Sequence, residues 1–163
     1  MRVKNKKSEF KPIRISGKNK YVVSWDYRPL YKDGKETTIG TWEEYIFSHY
    51  PDINEIKELI LGYYNSAVDA EILSGHTWNG YSIWLSNENQ FNYKAAYDIA
   101  VQTNGGNFPL KFKFGTNDNP QYHTFTSVVE LADFYMSSIS HIQKTLNKGW
   151  DVKDNIDWTF YEK

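Results

Sequence analysis

The chain is 163 residues long, 40% hydrophobic and 24% charged, with a formal net charge of −1, values that suit one globular domain or a domain with a small N-terminal addition. It contains no Cys, which excludes disulfides, thiolate catalysis and thiolate metal sites. It also lacks an apolar run near the roughly 18 residues that a membrane helix needs, and no apolar stretch follows the basic N-terminus, so neither a membrane span nor a secretory signal is expected.

Residues 1–9 read as a basic, flexible arm. Residues 1–20 carry eight Lys/Arg and one acid, Glu9, while the remaining 143 residues carry eleven Lys/Arg and nineteen acids. A basic arm on an acidic body suits docking onto an acidic protein neighbour, with Arg2, Lys4, Lys6 and Lys7 as candidate contact residues. The acidic body repels phosphates and disfavours nucleic acid. Residues 10–50 read as a β-rich element. Phe10 to Ser16 and Tyr21 to Asp26 form strands around a turn at Gly17-Lys18-Asn19-Lys20, and Asp33-Gly34 marks another turn. Thr37 to Phe47 is ambiguous: Glu43 to Phe47 suits either a short helical turn or an edge strand.

Pro51 breaks the pattern. Asp52 caps a helix and Glu55, three residues on, completes a capping-box-like pair. Ile53, Ile56, Ile60, Tyr63 and Ala67 recur at helical spacing until Ser74-Gly75. Asn79-Gly80 between Trp78 and Tyr81 predicts a tight hairpin, because a two-residue turn needs both central residues at positive φ. Ser86 then caps a helix over about Asn89 to Gln102, stopped by Asn104-Gly105-Gly106. Phe108 to Phe114 alternates apolar with Lys and pairs with Gln121 to Phe125 across a turn-rich loop. Ser127 opens a third helix with Val128, Leu131, Tyr135, Ile139, Ile142 and Leu146 on its buried face and Gly149 as its stop. An irregular tail from Trp150 to Lys163 follows. From residue 51 the expected class is α+β, ordered helix–hairpin–helix–hairpin–helix.

Chemistry is sparse. No two of His49, His76, His123 and His141 sit at metal-pair spacing, no phosphate loop or nucleophile elbow is present, and the acids around Asn117-Asp118-Asn119 do not follow an EF-hand pattern. The expectation is no cofactor, no metal and no catalytic residue. Aromatics are abundant: six Trp, thirteen Tyr and nine Phe. Tyr and Trp suit interfaces as well as cores, so Trp78, Tyr81 and Trp84 form a candidate platform for a partner or a glycan; roofing of the helical core is the plainer reading.

Three segments carry a family resemblance: INEIKELILGYYNSAVDAEILSGHTWNGYSIWLS (53–86), NQFNYKAAYDIAVQ (89–102) and PLKFKFGTNDNPQYHTFTSVVELADFYMSSISHIQKTLNKGW (109–150). In their order, residues 52–157 resemble a phage-associated domain of unknown function found in tail and tail-fibre proteins of tailed bacteriophages and prophages, particularly those of gut Bacteroidales. The resemblance implies a non-enzymatic tail or tail-fibre component that docks onto other virion proteins, located in the virion tail and, during assembly, in the host cytoplasm. An assembly chaperone absent from the mature particle is the main alternative. The family supplies no catalytic residues, and the first fifty residues lie outside the match.

Overall fold

The computed structural model describes residues 1–162. The protein is mixed α+β, with three α-helices among the described residues. It divides into two compact units: Met1–Tyr63 together with the residues from Ile156 on, and Tyr64–Asn155.

The first unit is built on a four-stranded antiparallel sheet of β1 (Arg2–Lys6), β2 (Ile13–Ile15), β3 (Tyr21–Lys32) and β4 (Lys35–Phe47), in the order β1-β4-β3-β2. Residues 2–6 are therefore a strand and not a flexible arm. They pair with β4 from Arg2 opposite Glu43 to Lys6 opposite Ile39, and a short 3₁₀ turn, Lys7–Glu9, follows. The ambiguous stretch before Phe47 is a central strand flanked on both sides, because β1 closes what would otherwise be its open edge. Asp33 and Gly34 both hold positive φ and turn β3 into β4. β3 bulges where Asp26 and Tyr27 oppose Trp42 alone, with Asp26 at φ 55°. Val22, Val23, Ser24 and Trp25 are all buried in succession, so this part of β3 is covered on both faces.

Helix α1 (Ile53–Ser74) begins as its capping box requires. Asp52 Oδ1 accepts from the amides of Asn54 and Glu55, and Glu55 Oε2 accepts from the Asp52 amide. Its first turns belong with the sheet: Ile56 and Ile60 are buried, and Tyr63 meets Trp25 edge-on with ring centroids 5.6 Å apart. The expected boundary at residue 51 is displaced accordingly. A 3₁₀ turn at Trp158–Tyr161 returns to the same unit, where the buried Tyr161 donates its hydroxyl to the Ser24 carbonyl at 2.8 Å.

The second unit holds the hairpin β5 (His76–Trp78) with β6 (Tyr81–Ile83), helix α2 (Asn87–Gln102), the hairpin β7 (Leu110–Gly115) with β8 (Pro120–Phe125), and helix α3 (Val128–Asp154). Asn79 and Gly80 hold φ of 47° and 80° at the first hairpin. Ser86 and Ser127 accept from the amides three residues on, capping α2 and α3. The core gathers Trp78, Ile83, Leu85, Tyr93, Phe114, Phe125, Leu131 and Phe134. Gly149 does not stop α3, which runs on to Asp154; it is buried, and a Cβ there would strike Val68. Trp150 accordingly lies inside α3 and not in an irregular tail.

Candidate docking surface

The four basic residues at the N-terminus separate in space. Arg2 Nη1 lies 2.8 Å from Asp26 Oδ2 and 3.1 Å from Glu43 Oε1. The β3 bulge turns Asp26 into a hub, where Arg28 pairs at 2.8 Å and the Tyr63 hydroxyl donates at 3.3 Å. Burial works against the Arg2 charge, but hydrogen bonds to Asp26 and Glu43 and the Asp26 charge outweigh it and raise its pKa. Burial, then the Asp26 and Glu43 charges, raise that of Tyr63. Arg2 is thus engaged within its own unit and is not a projecting contact. Lys7 pairs with Glu36 at 3.0 Å and its ammonium sits 5.8 Å from the Tyr27 ring centroid. Lys4 and Lys6 are exposed on β1. Arg14 closes on Glu44 with 3.1 Å contacts to both carboxylate oxygens, and Trp42 Nε1 donates to the same carboxylate.

The three hairpin aromatics also part company. Trp78 is buried, and its Nε1 donates to Asp133 Oδ2 at 2.8 Å; it cannot serve as a stacking platform. Tyr81 is half-buried, stacked on Trp78 and tilted against Phe114. His123 meets both Trp78 and Tyr81 edge-on and donates from Nε2 to Glu130 Oε1 at 2.8 Å. Only Trp84 presents its ring, 48% exposed, beside a cleft of about 450 Å³ that also includes Asn89, Lys113 and Asn117.

His76 is buried with Nε2 lacking a hydrogen-bond partner, and its ring stacks on His141 with centroids 5.0 Å apart. Burial lowers its pKa, and the positive charge His141 can carry lowers it further. His141 Nε2 donates to the Glu71 carbonyl at 2.9 Å. Among the described residues, no group of three or more His, Asp or Glu is placed to hold a metal, and no helix is long and apolar enough to cross a membrane.

Several apolar side chains of α3 are exposed. Val129, Met136, Ile139 and Trp150 are 80%, 58%, 41% and 48% exposed. Ala132 and Leu146, both half-buried, and exposed Gln143 fill the intervening places. The resulting steps of 3, 4, 3, 4, 3 and 4 residues place these side chains in one stripe along the helix, with the spacing of a coiled-coil seam.

Comparison with protein families, with characterised proteins and with solved structures found no match to this chain.

The α3 seam was missed in the sequence because two apolar stripes overlap there. A single stripe from Val128 places Leu131 and Ile139 on the buried face; the structure buries Leu131 together with Phe134 and Ser138, and exposes Ile139. The recurrence of apolar residues at 129, 132, 136, 139, 146 and 150 was the signal that could have revealed the second stripe.

Proposed function

We propose that this chain is a non-enzymatic structural or accessory subunit of a tailed-phage virion, at the tail or tail fibre, which acts by protein–protein docking. The helix–hairpin–helix–hairpin–helix order from residue 51, read as a domain of the phage-tail type, supplies the setting. The observation that carries the docking reading is the α3 seam: exposed apolar side chains at heptad spacing on a 27-residue helix. A rigid helix costs little ordering entropy on docking, and its apolar side chains contribute affinity once water is excluded.

Mass spectrometry of gradient-purified particles tests this. The chain should occur in fixed ratio to the major capsid protein. If it is abundant in the infected-cell lysate and missing from particles, the assembly-chaperone reading takes its place. Absence from both overturns the phage setting.

A second reading rests on Trp84. An exposed indole beside Asn89, Lys113 and Asn117 suits a sugar, whose C–H face stacks on the ring while its hydroxyls meet the polar side chains. A glycan array probed with the protein and with Trp84→Ala should give a signal that the variant loses; no signal from either removes this reading.

A further inference from the structure

We propose that the partner of the α3 seam is a second copy of the same helix, packed antiparallel about a two-fold axis near residue 141. The proposal rests on the docking reading above and names the partner.

Three features point to self-pairing. First, the seam spans Val129 to Trp150, about 33 Å of helix at 1.5 Å per residue, and keeps one heptad phase throughout. That phase fits another helix better than a sheet or an irregular surface. Second, its side-chain sizes are complementary under reversal. Antiparallel pairing about residue 141 sets Ala132 against Trp150 of the second copy, Met136 against Leu146, and Ile139 against Gln143. Small meets large at each end and the centre fills evenly. Parallel pairing would set Trp150 on Trp150 and Ala132 on Ala132, crowding one end and leaving a void at the other.

Third, the polar flank is compatible with itself. Asp133, Ser140 and Asn147 run along one side of the seam at seven-residue spacing. Reversal brings Ser140 to Ser140, and Asn147 to Asp133, so no like charges meet there. Asn147 Oδ1 already accepts from Gln143 Nε2 at 2.8 Å. The Asn147 amide N–H groups remain to donate toward the Asp133 carboxylate of the second copy, and the Gln143 amide enters the seam with a hydrogen bond in place. Such a two-fold contact closes on itself and limits the assembly to a dimer through this surface.

The test uses the full chain. Sedimentation equilibrium should show a monomer–dimer equilibrium, and Met136→Glu should raise its dissociation constant by roughly a hundredfold, because the carboxylate enters the interface twice. Met136 is exposed in the single chain, so circular dichroism of the variant should be unchanged. The absence of Cys makes single-cysteine variants clean probes. With a short bifunctional maleimide, Ile139→Cys should cross-link to itself. Val129→Cys should not, since the two copies would lie about 36 Å apart along the axis.

A monomer at all concentrations, or a dimer indifferent to Met136→Glu, overturns self-pairing. Val129→Cys linking to itself as readily as Ile139→Cys overturns the antiparallel order. Should the chain stay monomeric while Met136→Glu still blocks its incorporation into particles, the docking reading stands and the partner is another subunit.

Discussion

Gly149 illustrates how one side chain's neighbours reverse a local rule. In an exposed helix interior, Gly to Ala gains about 1 kcal/mol. Here the added methyl would enter the space of Val68, a β-branched side chain with little rotamer freedom. Gly149→Ala should therefore destabilise the protein by roughly 1–3 kcal/mol, and Val68→Ala in the same chain should recover much of that loss. Urea unfolding of the two single variants and the double variant checks the pair.

His76 gives a pH prediction at the same scale. Its folded pKa lies below the unfolded value of about 6.5. Above that value neither state binds the proton and the contribution to stability is fully present. As the pH falls below it, the unfolded chain takes up a proton that the folded chain resists, so stability declines through the folded pKa. Between pH 7.5 and pH 5 the native protein should lose more stability than His76→Gln. Equal slopes in denaturant titrations would mean the buried ring has no such role.

At the scale of elements, caps and turns were legible and strand partners were not. Asp52, Ser86 and Ser127 cap the three helices through local hydrogen bonds within three residues, which is why the sequence displays them. The turns at Asp33-Gly34 and Asn79-Gly80 are equally local. β1 is different. Arg2, Val3, Lys4, Asn5 and Lys6 have no alternating pattern that marks a strand, and they become one only because β4, some forty residues away, offers a free edge. A flexible arm is removable without cost; this segment is not. Deleting residues 2–9 should expose the β4 edge, break the Arg2–Asp26 and Lys7–Glu36 pairs, and lower the midpoint of thermal unfolding by several degrees, as about 1 kcal/mol moves a domain of this size by a few degrees. Differential scanning fluorimetry would show it, and an unchanged midpoint would mean that β1 adds nothing to the sheet.

For the whole molecule, the lopsided charge of the sequence is offset in part, at three of the eight Lys/Arg among the first twenty residues. Arg2, Lys7 and Arg14 pair with Asp26, Glu36 and Glu44, all from β3 and β4. These three pairs reduce the positive field of the first twenty residues, the rest of the chain is acidic, and duplex DNA should show no mobility shift with the protein at about 0.15 M salt, where phosphate contacts are already weakened. A retained complex at that salt would reveal a basic surface these pairs do not neutralise.

The sequence by itself determined whatever depends on neighbours a few residues away: the α+β class, the two tight hairpins, the helix starts, and the absence of thiol chemistry. Hydrogen bonds of caps and turns close within three or four residues, so their residue types carry the information. Tertiary structure decided the rest. It made Arg2–Lys6 a strand, carried α3 past Gly149, buried Trp78 on Asp133 while leaving Trp84 in solvent, and chose which of two overlapping stripes on α3 faces the core. These outcomes depend on which distant side chain fills a given space. A single sequence with several apolar stripes and many interchangeable aromatics does not specify that locally.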